Sequence, residues 1–247
     1  MEKDFIAGRN PVIEALKSER EINKIWIAEG SQKGSMLQII KLAKQSNVLV
    51  QYVPKQKIEQ MVSDNHQGVV AAVAAYEYAE LDDLFRKAEK KGEDPFFLVL
   101  DELEDPHNLG SIMRTADAAG AHGIIIPKRR AVGLTQTVAK ASTGAIEHIP
   151  VARVTNLSRT IDELKERGLW VAGTDAKGDQ DFRQLDGTLP ICLVIGSEGK
   201  GMSRLLRDKC DFLVQLPMIG HVTSLNASVA ASILMYEVYR KRHPLGE

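Results

Sequence analysis

The chain has 247 residues, of which 44% are hydrophobic, and its formal net charge at pH 7 is -1. This length is sufficient for one large core or for two smaller ones, because domains usually contain about 100 to 150 residues. A charge so close to zero excludes a general attraction to nucleic acid, although a local basic patch would be enough for binding.

The first part of the chain alternates between helical and strand patterns. Asn10 and Pro11 predict a helix over about residues 11–18, because Asn caps helices and Pro suits their first position. The elements predicted after it are a strand at 24–28, a helix at 34–47, a strand at 48–53, a short helix from Pro54 and an apolar run at 68–76. This alternation predicts a small α/β domain over residues 1–75.

A charged segment follows this domain. Residues 76–95 contain four Lys or Arg and seven Asp or Glu, with helical potential but few apolar side chains. We interpret this mixed-charge segment as a connector between two domains.

From residue 96 the pattern becomes a series of short apolar runs separated by helical stretches. The runs are FFLVLDEL, GIIIP, WVAGTD, ICLVIG and FLVQLP. Such alternation is typical of a mostly parallel sheet with helices on both faces, so residues 96–247 are predicted to form a second α/β domain. Ligands of such sheets bind beyond the carboxyl ends of the strands, where this sequence has four loops rich in Gly, acids, amides and hydroxyls.

The chain shows no sign of a membrane or export segment. Residues 1–11 lack the apolar core of a signal peptide, and no apolar run approaches the roughly 18 residues of a membrane helix. We therefore expect a cytoplasmic protein without a membrane partner. Cys192 and Cys210 lie in apolar surroundings without metal-binding spacing, so we expect reduced thiols and no metal.

The glycine-rich loops do not match common cofactor or hydrolase motifs. GSEGKGM has the form G-x-x-G-x-G, and the chain contains neither G-x-G-x-x-G nor G-x-x-x-x-G-K-[ST]. A nicotinamide-dependent dehydrogenase is therefore disfavoured. The chain also lacks a G-x-S-x-G elbow, and its six histidines have no metal-binding spacing, which argues against ordinary hydrolases and metalloenzymes.

The stretch DPHNLGSIMRTADAAG, at residues 105–120, predicts a helix with one packed face. Small and apolar residues recur at helical spacing from Leu109 to Ala119. Asn108 stands near the start of this helix and Arg114 lies off the centre of the packed face. From these residues alone, Asn108 is interpreted as a helix cap and Arg114 as a solvated charge.

Two short basic runs stand apart from the glycine-rich loops. They are PKRR at Pro127–Arg130 and RKRH at Arg240–His243. Either run could contact phosphate, although charged runs more often form a solvated surface or a helix end.

Three longer motifs, in order, resemble those of one enzyme family. DPHNLGSIMRTADAAGAHGIII, LVIGSEGKGMSRLLRDKCDFLVQLPM and HVTSLNASVAASILMYE are similar to the motifs of the SpoU/TrmH family of SPOUT RNA 2'-O-methyltransferases, at the family's spacing. Near the amino terminus, GRNPVIEAL and NHQGVVA resemble the substrate-binding extension of the 23S rRNA guanosine-2'-O-methyltransferase (RlmB) type. The resemblance covers the whole carboxyl-terminal domain.

The resemblance implies a particular architecture. The carboxyl-terminal domain would be a SPOUT α/β domain with a deep trefoil knot, and the amino-terminal domain would resemble ribosomal protein L30e and bind the RNA substrate. A homodimer would form through the knotted region, and S-adenosyl-L-methionine would bind in the knot loops. Because general rules of topology argue against knots, this expectation rests on the resemblance alone.

The resemblance also implies where the cofactor binds. The implied cofactor-binding residues are Gly196, Leu216, Leu225, Thr174, Met218 and Ile219. The first three match positions whose backbone groups hold the cofactor, and the other three lie in adjoining loops. An apolar slot with a few backbone hydrogen bonds suits adenine. Without the resemblance, Gly196 would be interpreted as an ordinary turn glycine.

The implied catalytic residues are Arg114, Asn108, Glu198, Ser224 and Asn226. Methyl transfer to a ribose hydroxyl is an in-line displacement, in which placement of the reactants can supply about 7 to 11 kcal/mol. A guanidinium stays protonated, so we expect Arg114 to bind the adjacent phosphate and stabilise the developing alkoxide rather than act as a general base. Glu198 is expected to anchor Arg114 or the target nucleotide. Ser224 and Asn226 could each also cap the helix that follows.

The sequence therefore favours a dimeric, S-adenosylmethionine-dependent RNA ribose 2'-O-methyltransferase that acts on a guanosine of 23S rRNA. The alternatives are an enzyme of the same class that acts on tRNA and a catalytically silent RNA-binding factor in ribosome assembly. The joint presence of Arg114, Glu198 and Asn226 argues against a silent factor. The target nucleotide stays open, because RNA is recognised by shape and stacking and only 5% of the residues are aromatic.

Overall fold

The chain forms two compact units. The computed structural model describes residues 4–17, 22–30, 34–46, 48–62, 65–73, 76–176, 178–197 and 199–246. Unit 1 comprises Met1–Glu77 and Leu134–His148, and unit 2 comprises Tyr78–Gly133 and Ile149–Glu247. In the described part of the chain, no helix is long and apolar enough to cross a membrane.

The elements are numbered in chain order. The strands are β1 (Asp4–Ala7), β2 (Ile22–Ala28), β3 (Val50–Val53), β4 (Val69–Val73), β5 (Phe96–Leu100), β6 (Gly123–Pro127), β7 (Val151–Val154), β8 (Trp170–Thr174), β9 (Gln180–Asp181), β10 (Ile191–Ile195) and β11 (Phe212–Gln215). The helices are α1 (Arg9–Lys17), α2 (Ser35–Gln45), α3 (Lys55–Met61), α4 (Leu81–Lys91), α5 (Pro106–Ala118), α6 (Gln136–Ala141), α7 (Leu157–Glu166), α8 (Arg204–Arg207) and α9 (Ala227–Arg242).

Unit 1 is built on a four-stranded sheet in the order β1-β4-β2-β3. Strand β4 is antiparallel to β1 and β2, whereas β2 is parallel to β3. Apolar residues of α1 and α2 pack together with those of the sheet in one buried cluster. Ile58 of α3 belongs to a second cluster, with Val53 and Val70. The small α/β domain predicted from the alternating pattern is confirmed, with β1 as an additional strand that the sequence did not predict.

Helix α6 belongs to unit 1 although the sequence division placed it in the domain at 96–247. It contacts β1, and Val138 within it is fully buried. The difference has a simple cause, because a helix of six residues is too short for its periodicity to show which core it joins.

Unit 2 is built on a parallel sheet in the order β7-β6-β5-β10-β8-β11-β9. All five apolar runs of the sequence form strands in it. The central strands β5 and β10 are buried along their whole length, as expected for a sheet covered on both faces. The predicted parallel α/β sheet is confirmed. The sequence did not predict strands β7 and β9. The apolar run of β7 is interrupted by Arg153, and β9 has only two residues.

The segment expected to be a connector forms helix α4 of unit 2. Its side chains Leu84 and Ala88 are buried, and the rings of Phe85 and Phe97 meet edge to face with centroids 4.9 Å apart. A Cβ at Gly123 would lie 2.2 Å from Cγ of Leu84, so the helix can pack this closely only against glycine. The charged residues of the segment cover an amphipathic helix, whose narrow apolar face the overall composition concealed.

Candidate active site

Hydrogen bonds join the loops after β5 and β10 at the carboxyl edge of the sheet. The side chain of Asp101, which is buried, accepts a hydrogen bond of 2.8 Å from the backbone N–H of Ser203. The backbone N–H of Asp101 donates to the carbonyl of Ile195 at 2.9 Å. Asp101 was not among the residues predicted for the site. Its signal was an acidic residue directly after a buried apolar run, a position that faces the ligand edge of parallel sheets.

Helix α5 begins at this edge and is capped by Asp105, not by Asn108. The Asp105 side chain accepts a hydrogen bond of 2.8 Å from the backbone N–H of His107, and Pro106 is the first residue of the helix. Asn108 lies within the first turn and is 7% exposed. The interpretation of Asn108 as the cap is therefore wrong, because Asp105 and Pro106 together form the stronger start signal.

Asn108 and Asn226 join the first and third sequence motifs. The Asn226 Nδ2 donates a hydrogen bond of 3.0 Å to Oδ1 of Asn108. Oδ1 of Asn226 accepts from the backbone N–H groups of Ser228 and Val229, at 2.9 and 3.3 Å, and thereby caps α9. The amide of Asn226 thus serves both as a helix cap and as the partner of Asn108.

Arg114 does not join this pair. It lies six residues after Asn108 on α5, which corresponds to roughly 9 Å along the helix axis. Its side chain is exposed and makes no hydrogen bond or ion pair with the described part of the chain. The charge of this guanidinium therefore remains available for an external anion.

The loop from Leu216 to Leu225 has a backbone with no internal hydrogen bonds. Within the described residues, no N–H or carbonyl of this loop pairs with another group. Met218 is 36% exposed and Ile219 fully exposed, whereas Leu216 and Leu225 are half-buried. Free backbone donors and acceptors beside apolar side chains are what a neutral adenine ring requires, so this loop fits an adenosine-containing cofactor.

Thr174 and Gly196 lie at the ends of the two neighbouring strands β8 and β10. The hydroxyl of Thr174 donates to the carbonyl of Val194 at 3.3 Å. Gly196 is buried, and a Cβ there would lie 2.2 Å from the carbonyl carbon of Gly201. Backbone hydrogen bonds of 2.9 and 3.1 Å join Ser197 and Gly201 across this turn. Turn geometry alone thus requires glycine at residue 196, and the cofactor contact stays a prediction.

Two other predicted residues are not brought into the Asn108 and Asn226 pair. Ser224 is exposed and is not the cap of α9. Glu198 lies outside the described residues.

Glu102 and Arg130 form a contact that the sequence did not indicate. They lie in the loops after β5 and β6 and form an ion pair of 2.9 Å. Both have left-handed backbones, with φ of 53° and 56°. Residues other than glycine rarely adopt this conformation, so the surrounding structure has to hold these two backbones in place.

The two basic runs have different roles in the structure. Arg240 pairs with Glu237, and Arg242 donates hydrogen bonds to the carbonyls of Asp94, Gly187 and Leu189 at 2.7 to 2.9 Å. RKRH is therefore a structural helix end. In PKRR, Arg129 is exposed and has no partner in the described part of the chain.

The thiols and the acidic and imidazole groups do not form a metal centre in the described residues. No group of three or more His, Cys, Asp or Glu side chains there could hold a metal ion. Burial raises the pKa of the Cys192 thiol, and burial with the nearby Asp211 carboxylate raises the pKa of Cys210 to about 12. Both cysteines are therefore protonated thiols at neutral pH.

Comparison with protein families gives two matches. Residues 95–236 match the SpoU rRNA Methylase family, and residues 5–79 match the family described as RNA 2'-O ribose methyltransferase substrate binding. A protein of Bacillus subtilis (strain 168), YacO, is 70% identical over 99% of this chain and 98% of its own length, and its name assigns it to the TrmH family of tRNA/rRNA methyltransferases. A protein of Staphylococcus haemolyticus with the same family name is 58% identical over 100% of this chain and 99% of its own length.

Solved structures agree with these matches. The SpoU methyltransferase AviRb from Streptomyces viridochromogenes, in complex with the cofactor AdoMet, is 28% identical, with a TM-score of 0.81 over 96% of this chain and 90% of that chain. An AdoMet-bound rRNA methyltransferase from Sinorhizobium meliloti is 29% identical, with a TM-score of 0.81 over 96% of this chain and 87% of that chain. The chain belongs to the SpoU/TrmH family of RNA methyltransferases, which use S-adenosylmethionine as the methyl donor.

Proposed function

We propose that the chain methylates the ribose 2'-hydroxyl of a guanosine in 23S rRNA. The observation that carries this proposal is the hydrogen bond between Asn108 and Asn226, which joins two motifs in one site beside the unpaired loop Leu216–Leu225. The matched family descriptions name rRNA methylation and 2'-O ribose methylation. The S. meliloti structure is also described as that of an rRNA methyltransferase.

The cofactor would be held by Gly196, Leu216 and Leu225 through backbone groups, with Thr174, Met218 and Ile219 around it. S-adenosylmethionine supplies an electrophilic methyl group, so this chain has to place a ribose oxygen in line with that carbon. The exposed Met218 and Ile219 would form an apolar wall against the adenine.

Arg114 would bind the phosphate next to the target ribose. As the oxygen loses its proton and bonds to the methyl carbon, the guanidinium stabilises the developing negative charge. Because Asn108 is fixed by Asn226, it can orient the ribose without rearrangement. We assign Glu198 to anchoring Arg114 or the target nucleotide, and Ser224 to a polar contact with the ribose.

We also propose that two copies associate through unit 2. Helix α9 exposes Val229, Tyr236 and Tyr239, which are 46%, 50% and 40% accessible, although its opposite side is buried in its own core. Exposed apolar side chains grouped on one face of a helix mark an interaction surface. A second copy of the chain would cover this face and form the homodimer that the family resemblance implies.

The test is to map 2'-O-methylated nucleotides in rRNA and tRNA from cells with and without the gene. We expect one guanosine of 23S rRNA to lose its methyl group in the deletion strain and to regain it when the gene is restored. Loss of a tRNA methyl group instead would identify the enzyme as a tRNA methyltransferase. An unchanged methylation map would contradict the catalytic proposal and favour an assembly factor.

A further inference from the structure

We propose that unit 1 contains a pocket for a single nucleobase of the RNA substrate. A cavity of about 140 Å³ lies among residues that all belong to this unit. Its lining contains none of Asn108, Arg114 and Asn226, which belong to unit 2. The proposal rests on the proposed function, because it takes the occupant from the RNA that the enzyme methylates.

The volume and the lining of the cavity suit one aromatic ring. Its lining includes the buried side chains of Ile6 and Ile146 and the exposed polar residues Asn10 and Thr143. An apolar cavity of about 150 Å³ in another protein binds benzene. A pyrimidine, or one ring of a purine, could therefore occupy the apolar part while its polar edge meets the polar residues.

Gln136 gives a second, independent indication of a ligand. It lines the cavity, and its side-chain amide nitrogen is buried without a hydrogen-bond partner in the described part of the chain. Buried polar groups are nearly always paired, and an exception needs an explanation. Base edges carry both donors and acceptors, so they can pair with either end of this amide.

The remaining lining has two acidic residues, Glu14 and Glu147, and one basic residue, Lys140, so its charge favours a base over a phosphate. Glu14 and Glu147 contribute carboxylates, which repel a phosphate but accept hydrogen bonds from amino groups of a base. Glu14 is paired with Lys17 at 3.0 Å, which limits the negative charge there. Tyr76 provides an aromatic ring in the lining, and single-stranded RNA is commonly bound by stacking of unpaired bases on such rings.

The experiment uses the full chain and ribosomal RNA purified from cells that lack the gene. We would measure the dissociation constant of this RNA by filter binding for the wild type and for two variants. Ala139→Leu fills the cavity, and Gln136→Met removes the amide at similar side-chain length. Thr137→Val is the matched control, because Thr137 is exposed on the same helix and does not line the cavity.

We expect both cavity variants to raise the dissociation constant about tenfold, the effect of losing one stacked and paired base. Thr137→Val should stay within twofold of the wild type. With 4-thiouridine incorporated in the RNA, photo-crosslinks should map to Tyr76 or to residues 136–144 in the wild type and disappear in Ala139→Leu. Thermal unfolding of each variant establishes that it is folded.

Equal affinities for the wild type and both folded variants would overturn the proposal and leave the cavity as a site for water. Methyl transfer by the wild type, measured with the same RNA, separates the two proposals. If the wild type methylates this RNA and the cavity variants bind it as tightly as the wild type does, the base pocket is refuted and the proposed function is not. If the cavity variants bind this RNA more weakly and the wild type does not methylate it, the proposed function is refuted and the base pocket is not.

Discussion

At the scale of single residues, Asn226 joins a helix cap to a contact within the candidate site. Its Oδ1 caps α9, while its Nδ2 holds Asn108, so one amide uses both of its ends. Different substitutions of Asn226 should therefore remove the cap of α9 and the contact with Asn108 separately. Arg114 is the opposite case, because its exposed side chain has no partner in the described residues that a substitution would disturb.

Asn226→Ser should retain the cap and lose the contact with Asn108, because Ser caps helices but is too short to reach across. Its unfolding temperature should stay close to that of the wild type, while methyl transfer should fall about tenfold, the effect of one lost hydrogen bond. Asn226→Ala should lose both and be destabilised by roughly 0.5 to 2 kcal/mol. Single-turnover methylation and thermal unfolding measure the two effects. Equal activity of the wild type and Asn226→Ser would show that the Asn108 contact does not contribute.

Arg114→Ala should fold and bind S-adenosylmethionine normally but lose about 100- to 1000-fold in methyl transfer, because a charge-stabilising donor at the reacting oxygen is removed. Arg114→Lys should recover only part of the rate, since lysine keeps the charge but not the planar fork. Arg159→Ala, at an exposed position on α7, is the control.

Single-turnover rates measured across pH decide between the roles of Arg114. A fully active lysine variant would favour a general base, because the reference pKa of lysine, about 10.4, lies nearer neutrality. Wild-type rates in Arg114→Ala would restore the interpretation of Arg114 as a solvated charge.

At the scale of elements, continuous apolar runs were the most reliable sequence signal. Runs such as FFLVL and ICLVI are buried on both faces, so their composition alone identifies them as strands. Composition did not predict the packing of α4, because charged residues outnumber the apolar side chains of this helix that reach the core. In the site, helix rules predicted a cap at Asn226. The Asn108 partnership is a contact between residues 118 positions apart, which local pattern does not encode.

His122, directly before β6, contacts the first residue of β5 and the segment that precedes this strand. It is fully buried, its Nδ1 accepts the backbone N–H of Phe96 at 3.1 Å, and its Nε2 lies 3.0 Å from Glu93. Burial lowers the pKa of His122 despite the opposing effect of Glu93. The native imidazole is therefore neutral, and protonation would place a second N–H against that of Phe96.

The neutral His122 should make its full contribution to the stability of the fold above the unfolded-state pKa of His, about 6.5. This contribution should be lost as the pH falls from that value through the lower pKa of the native state, because the unfolded chain binds the proton more readily. His122→Asn keeps an acceptor near Nδ1 and should show a smaller loss of stability between pH 7.5 and 5.5. Urea unfolding midpoints measure this difference. His107→Asn, at an exposed position, should behave like the wild type, and an equal pH dependence in His122→Asn would contradict the assignment.

At the scale of the whole molecule, the division into two units does not correspond to a single cut in the sequence. Unit 2 contains Asn108, Arg114, Asn226 and the unpaired loop Leu216–Leu225. It also includes α4, which covers Phe97 of the central sheet. The expected boundary at residue 96 would therefore remove part of the core of this unit.

A fragment of residues 78–247 should fold and bind S-adenosylmethionine, because the family motifs and α4 lie within it. A fragment of residues 95–247 should have a lower unfolding temperature, because the buried Leu84 and the ring of Phe85 are lost. Losing one buried leucine costs about 2 to 5 kcal/mol, or at least roughly 4 °C for a chain of this length. Calorimetry measures unfolding and cofactor binding for both fragments. Equal unfolding temperatures would show that α4 is dispensable.

Val229→Glu should convert the proposed dimer to a monomer, because it places a charge in the exposed apolar face of α9 that a second copy would cover. Sedimentation velocity measures the mass. Tyr52→Glu is the control, because Tyr52 is an apolar side chain of similar exposure, 42%, that belongs to unit 1, whereas α9 belongs to unit 2. A wild-type chain that sediments as a monomer would contradict the proposed dimer.

The discontinuity of unit 1 also has a consequence during synthesis on the ribosome. Its last segment, Leu134–His148, follows Glu77 only after 56 intervening residues. At about 5 to 20 residues per second, translation of those residues takes roughly 3 to 11 s. During that interval the nascent amino-terminal sheet lacks helix α6, which contacts β1 in the complete unit. Translation speed across residues 78–133 therefore sets how long the incomplete unit is exposed to chaperones and proteases.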